Sequence, residues 1–102
     1  MYEEYKFDKI EKIVLYAIAE VRKPVNKEEI YKSLEDIKPS LIDSTLRKLR
    51  REKLIILKLS NFFINTNKGA MDTTKNLLKE HWETNWEEEW KNVTAKTKVL
   101  GN

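Results

Sequence analysis

Apolar residues in the first quarter of the chain fall at Ile10, Ile13, Val14, Ala17, Ile18 and Val21. That i, i+3, i+4, i+7, i+8, i+11 recurrence predicts an amphipathic helix whose dry side faces a core. Asp8 stands where a cap is needed and Glu11 three residues on, the capping-box spacing. Pro24 ends the pattern, and Lys23-Pro24-Val25 leaves room only for a stub of extended chain. Asn26 and Glu29 repeat the capping-box signature for a short second helix, with Ile30 and Leu34 inward and Tyr31 at the edge. Glu35 to Pro39 reads as a turn with Ile37 tucked beneath it. Ser40 is the expected cap of a third helix, helped by Asp43, with a dry stripe at Ile42, Leu46, Leu49 and Leu54. Two β-prone runs follow, Ile55–Leu59 and Phe62–Thr66, and the polar break Ser60-Asn61 between them predicts a hairpin. A long last helix is expected from about Asn67 to Val93, capped by Thr66. Met71, Thr74, Leu78, Trp82, Trp86 and Trp90 would lie along one side of it. Thr94 to Asn102 has no apolar period and is expected to fray.

The pattern gives a fold class: mostly α, with a small β-hairpin. The second and third helices, joined by a tight turn, describe a helix-turn-helix. With 102 residues the chain suits one domain, with a unit over residues 1–69, a C-terminal helix over 70–93 and a flexible tail over 94–102. The chain has no cysteine, which excludes disulfides and thiolate metal sites. His81 is the lone histidine, and no glycine-rich phosphate loop is present. No catalytic residue, metal site or cofactor is therefore expected, and Glu87–Glu89 read as a solvated helix face. With no apolar run of membrane-spanning length and no signal-peptide pattern, a cytoplasmic protein is expected.

Charge changes the picture locally. The whole chain carries +3, yet Ser44 to Lys58 holds six basic residues against one acid. On a helical wheel Ser40, Ser44, Arg47 and Arg51 lie opposite the dry stripe, flanked by Asp43 and Lys48. A positive face concentrated on one short helix is the footprint of a phosphate-backbone reader. The three tryptophans Trp82, Trp86 and Trp90 carry a second expectation. Each can bury on the order of 200 Å², so a helix-mediated homodimer is expected, with packing along the first helix and the N-terminal aromatics Tyr2, Tyr5 and Phe7 as the alternative. A base-stacking platform is disfavoured by the neighbouring Glu83 and Glu87–Glu89.

The run from Ser40 to Ile55, SLIDSTLRKLRREKLI, resembles the recognition helix of small prokaryotic or archaeal winged helix-turn-helix regulators of the MarR and PadR types. In those, a Ser/Thr cap leads to leucines three apart, here Leu46 and Leu49, and then to a Leu-Ile step into the wing. Asn65-Thr66-Asn67-Lys68-Gly69 is similar to the Leu-Thr-x-x-Gly with which they leave it. The resemblance covers about residues 8–69. It departs from the pattern at Lys53, which replaces a glycine that often takes positive φ, at Asn65, which replaces leucine, and at Asp43 and Ser44, where Ser and Arg are common. The wing tip also lacks Arg and Lys. The resemblance implies a sequence-selective transcription regulator that binds double-stranded DNA, and with the dimer expected from the three tryptophans the target would be a pseudo-palindrome. Arg47 and Arg51 would contact phosphates or guanine edges, Lys48 and Lys53 phosphates, and Ser40 and Ser44 bases or backbone, while Asp43 would repel phosphate unless it caps the helix or accepts from a cytosine amino group. Lys58 and Asn61 from the wing and Lys27 from the second helix would touch flanking backbone. The alternative is a protein-interaction module that keeps the scaffold without binding DNA.

Overall fold

The computed structural model describes residues 7–21, 23–67 and 71–98. Tyr2 and Tyr5, Lys68 and Gly69 of the wing exit, and residues 99–102 lie outside them. The order is α1 (Lys9–Glu20), β1 (Val25–Asn26), α2 (Lys27–Ser33), α3 (Pro39–Arg51), β2 (Ile55–Lys58), β3 (Asn61–Ile64), α4 (Met71–Trp82), a 3-10 turn (Glu83–Asn85) and α5 (Trp86–Lys98). The molecule is mostly helical with one small antiparallel sheet of order β1-β3-β2. Val25 pairs with Phe62, and Ile55 with Ile64.

Both capping boxes form. The Glu11 N–H donates to Asp8 Oδ1 at 2.8 Å and the Asp8 N–H to Glu11 Oε1 at 2.8 Å. Asn26 and Glu29 do the same at 2.9 and 3.2 Å, and the Asn26 N–H holds the Glu29 carboxyl below its usual range. These reciprocal bonds satisfy donors that a helix start otherwise leaves orphaned. α1 is rotated slightly from the expected face, however. Its buried residues are Glu11, Val14, Leu15, Ile18 and Ala19, while Ile13 and Ala17 are only half-buried. The i, i+3, i+4 spacing is intact, but it is anchored on a charged residue that composition alone would put in water.

The expected start of the third helix is corrected. α3 is capped by Lys38, with no side-chain bond, because Pro39 takes the first helical position. Proline fits there because that position needs no N–H and its φ is already helical. Ser40 is therefore inside the first turn, and Asp43 lies beyond the capping positions. At its other end α3 closes in a Schellman motif. The Leu54 N–H donates to the Leu49 carbonyl and the Lys53 N–H to that of Arg50, both at 2.9 Å. Lys53 takes φ 63° where glycine would be easier, and Leu54 packs back into the core with Leu49. Buried Asn65 explains its own departure from leucine: its amide donates to the Lys53 carbonyl at 2.7 Å, tying the end of the hairpin to the end of α3.

The hairpin turns one residue earlier than expected. Lys58 pairs with Asn61, so the two-residue loop is Leu59-Ser60, and both have positive φ, 53° and 65°. That is a type I′ turn, which matches strand twist but favours Asn-Gly. Leu59 is 84% exposed, so packing of its side chain does not offset its strained backbone. Leu59→Asn and Ser60→Gly together are expected to stabilise the chain by about 1–2 kcal/mol, read as a rightward shift of a urea melt with unchanged slope. An unchanged or lower midpoint would refute this account of the turn.

The single long C-terminal helix is replaced by two. Glu83 takes φ 54° and the chain bends through the 3-10 turn into α5. A straight helix from Met71 to Lys98 would run about 42 Å, whereas the molecule's longest extent is 31 Å. The bend lets Leu77 and Leu78 of α4 and Val93 of α5 reach the same core. Consequently the three indoles do not form one stripe. Trp82 and Trp90 pack half-buried against the core, and Trp86 lies beneath the Lys75 and Lys79 ammonium groups, 5.6 and 4.5 Å from its ring centre. His81 stacks on Tyr16 at 3.8 Å and hydrogen-bonds Glu20, joining α4 to α1. The segment from Thr94 to Lys98 does not fray but continues α5. Within it Lys96 is 6% exposed and donates to the carbonyls of Ile18 and Val21 at 2.8 and 2.7 Å.

Candidate functional site

The outward face of α3 follows from its inward one. Ile42, Thr45, Leu46 and Leu49 are buried, which turns Ser40, Leu41, Ser44, Arg47 and Arg51 to solvent and leaves Asp43 and Lys48 half-buried on either flank. Thr45 is tolerated on the dry side because its hydroxyl donates to the Leu41 carbonyl at 2.8 Å. The Ser44 hydroxyl donates to the same carbonyl at 3.0 Å and keeps its lone pairs outward. Arg47 stands on the ridge between two grooves. One, of about 300 Å³, is lined by Lys27, Asp43, Leu46, Arg50, Leu57 and Phe62. The other, of about 430 Å³, runs toward the start of α1 and is lined by Asp8, Glu11, Leu41, Ser44, Thr45, Lys48 and Arg51.

Charge on this surface is sorted by pairing. Lys48 Nζ lies 2.8 Å from Glu11 Oε2, and Glu11 is 1% exposed. A carboxylate that deep needs compensation, and it holds the Lys48 ammonium above its ordinary pKa by hydrogen bonding and by charge. Asp43 accepts a hydrogen bond from the Tyr31 hydroxyl and lies 3.8 Å from Lys27 Nζ. The Tyr31 hydroxyl is pushed up to about 12, chiefly because losing its proton would break that bond and then because of its desolvation. Lys27 and Lys48 are thus already matched with acids. Arg47, Arg50, Arg51, Lys53 and Lys58 are exposed and form no ion pair among the described residues.

The expected site residues therefore divide. Ser40, Ser44, Arg47 and Arg51 share the exposed ridge; Lys53 follows at the end of α3; Lys58 and half-buried Asn61 lie at the hairpin, where the Asn61 amide donates to the Leu59 carbonyl at 3.3 Å. Lys27, Asp43 and Lys48 belong to the paired flanks. Arg50 is the residue that sequence reading passed over: it shares a groove with Lys27 and Asp43, and its place seven residues after Asp43 puts both on one helix side. Trp82 and Trp90 pack half-buried against the core, and half-buried Trp86 lies under the Lys75 and Lys79 ammonium groups.

Among the described residues no group of three or more His, Asp or Glu could hold a metal ion, and no helix is long and apolar enough to cross a membrane. No family model matches the chain, and neither does any curated protein or solved structure compared with it.

Proposed function

We propose that this chain is a winged helix-turn-helix protein that binds double-stranded DNA with α3 in the major groove and the β2–β3 hairpin as its wing. The observation that carries the reading is the sorting of charge around α3. Every cation on the ridge itself, Arg47 and Arg51, lacks an ion-pair partner among the described residues, as do Arg50, Lys53 and Lys58 beside it. Glu11 and Asp43, which line the two grooves beside the ridge, are each engaged by a lysine. A surface with five exposed, unneutralised cations, and with its two groove acids Glu11 and Asp43 matched by lysines, presents net positive potential to an approaching polyanion. The geometry is compatible: α3 has 13 residues, about 20 Å of helix, and a major groove about 12 Å wide admits such a helix. The chain order supports it too, with the β2–β3 hairpin directly following the basic helix α3.

The dimer expected from three tryptophans no longer has an exposed indole stripe to support it. A single half-site per chain is the simplest target, and the mass of the protein–DNA complex reads the stoichiometry. The decisive test is duplex binding from about 50 mM to about 200 mM salt. Five unpaired cations predict a slope of log affinity on log salt of about −4.5. Binding that ignores salt would sink the reading.

A second reading has its own support. The large exposed hydrophobics among the described residues are Leu41 (44%), Leu57 (39%) and Leu59, all on α3 or the hairpin. An acidic polypeptide with apolar anchors would match those leucines and the arginines together. Capture of a stoichiometric polypeptide after nuclease treatment, with no duplex shift at low salt, would favour it.

A further inference from the structure

Asp43 is the one acid among the half-exposed residues of the α3 outer surface, and there its charge opposes the phosphates that the neighbouring arginines attract. It does not cap the helix, since Lys38 holds that position. Its contacts are one-sided. The Tyr31 hydroxyl and Lys27 Nζ both approach Oδ1, while Oδ2 has no hydrogen-bond or ion-pair partner among the described residues. The side chain retains 34% of its exposure and lines the groove it shares with Arg47 and Arg50. Tyr31 and Lys27 of α2 thus hold one carboxylate oxygen, and the other is left without a partner on a side chain that lines the groove.

Resting on the DNA-binding reading above, we propose that Asp43 is a specificity-determining residue that accepts a hydrogen bond from the N4 amino group of a cytosine. Only two bases offer an amino donor on the major-groove edge. Adenine sets its N6 amino group beside the N7 acceptor, which repels the second carboxylate oxygen. Cytosine sets its N4 amino group beside an apolar C5–H, so a carboxylate meets no acceptor on that base. The partner guanine then presents O6 and N7, and Arg47, one helical turn after Asp43, is the residue type that takes them. The acid and the arginine would read the two members of one C·G pair, or of adjacent pairs.

The test is selection of duplexes from a randomised pool by the full chain and by its Asp43→Asn and Asp43→Ala variants, at one salt concentration, followed by affinity measurements on single-base-pair replacements. The parent is expected to select C·G at one position of the site and to lose about tenfold in affinity when that pair becomes T·A. Asp43→Asn keeps an acceptor for Tyr31 and should move the preference to adenine, which asparagine reads through N6 and N7. Asp43→Ala should make the position indifferent, binding the C·G and T·A duplexes alike. Thermal melts of both variants within a few degrees of the parent's would separate a reading role from a packing one. If the parent binds duplex with steep salt dependence but selects no cytosine, or if both variants select the same base there as the parent, the assignment fails and the DNA-binding reading stands. If the parent binds no duplex, both fail together.

Discussion

Replacing Arg47 and Arg51 together with alanine is expected to weaken duplex binding by about two to three orders of magnitude near 0.1 M salt, and to flatten the salt slope by about two. Both side chains are exposed on the ridge of α3, four residues apart, and neither forms an ion pair among the described residues. Their removal therefore takes away two charges that nothing in the fold consumes. Alanine is the better helix former at an exposed position, so circular dichroism and melting should be unchanged. Lys48→Ala is the informative contrast. That ammonium is spent on Glu11, so its loss should lower stability, by uncovering a buried carboxylate, more than it lowers affinity. A double arginine variant that binds like its parent would remove the observation on which the proposed function rests. Equal losses from Lys48→Ala and from Arg47→Ala would show instead that general charge matters and the sorting does not.

The division between paired and unpaired cations marks the boundary of what the sequence discloses. Capping boxes at Asp8–Glu11 and Asn26–Glu29, the stripe Ile42, Leu46, Leu49 and Leu54, and the two β runs are interactions within a few residues, and periodicity exposes them. The positive φ at Lys53 was legible too, because the resemblance placed a glycine there. The pairs Glu11–Lys48 and Lys27–Asp43 join residues on different helices, and no local pattern announces them. They decide which of the basic residues remain available. The same holds for the C-terminal region. Glu83-Thr84-Asn85 contains no Gly or Pro, so nothing local marks a break; the break is set by the size of the core that α4 and α5 must both cover. The hairpin misplacement has a different origin. Asn61 is the better turn former by type, yet strand register puts Leu59 and Ser60 at the left-handed positions. There pairing outweighs local preference.

Lys96 makes stability depend on pH in an uncommon direction. Burial pushes its ammonium down to about 8 from an ordinary value of 10.5. Between those values the unfolded chain binds the extra proton, so the free energy of unfolding rises as pH rises. The charged form is disfavoured below about 8, and the burden is relieved as the amine loses its proton. The neutral amine can still donate to the Ile18 and Val21 carbonyls, so the α1 terminus keeps its partners. From about pH 7 to about pH 10 the gain should be on the order of 2–3 kcal/mol. Above that range the raised groups Tyr16, Tyr31 and Lys48 act oppositely, since the stability each contributes is lost as pH climbs through its folded-state value. A maximum near pH 10 is the expected result. Urea melts at closely spaced pH values, for the parent and for Lys96→Met, provide the check. Methionine fills a similar volume but cannot titrate or donate, so its profile should stay flat over the interval in which the parent gains. It should also fall furthest below the parent at the alkaline end, where the lysine no longer carries a buried charge and two carbonyls of the variant lack their donor. Parallel profiles for the two proteins would mean that Lys96 titrates as it does in water. Its burial against α1 would then have no hold on the stability of the fold.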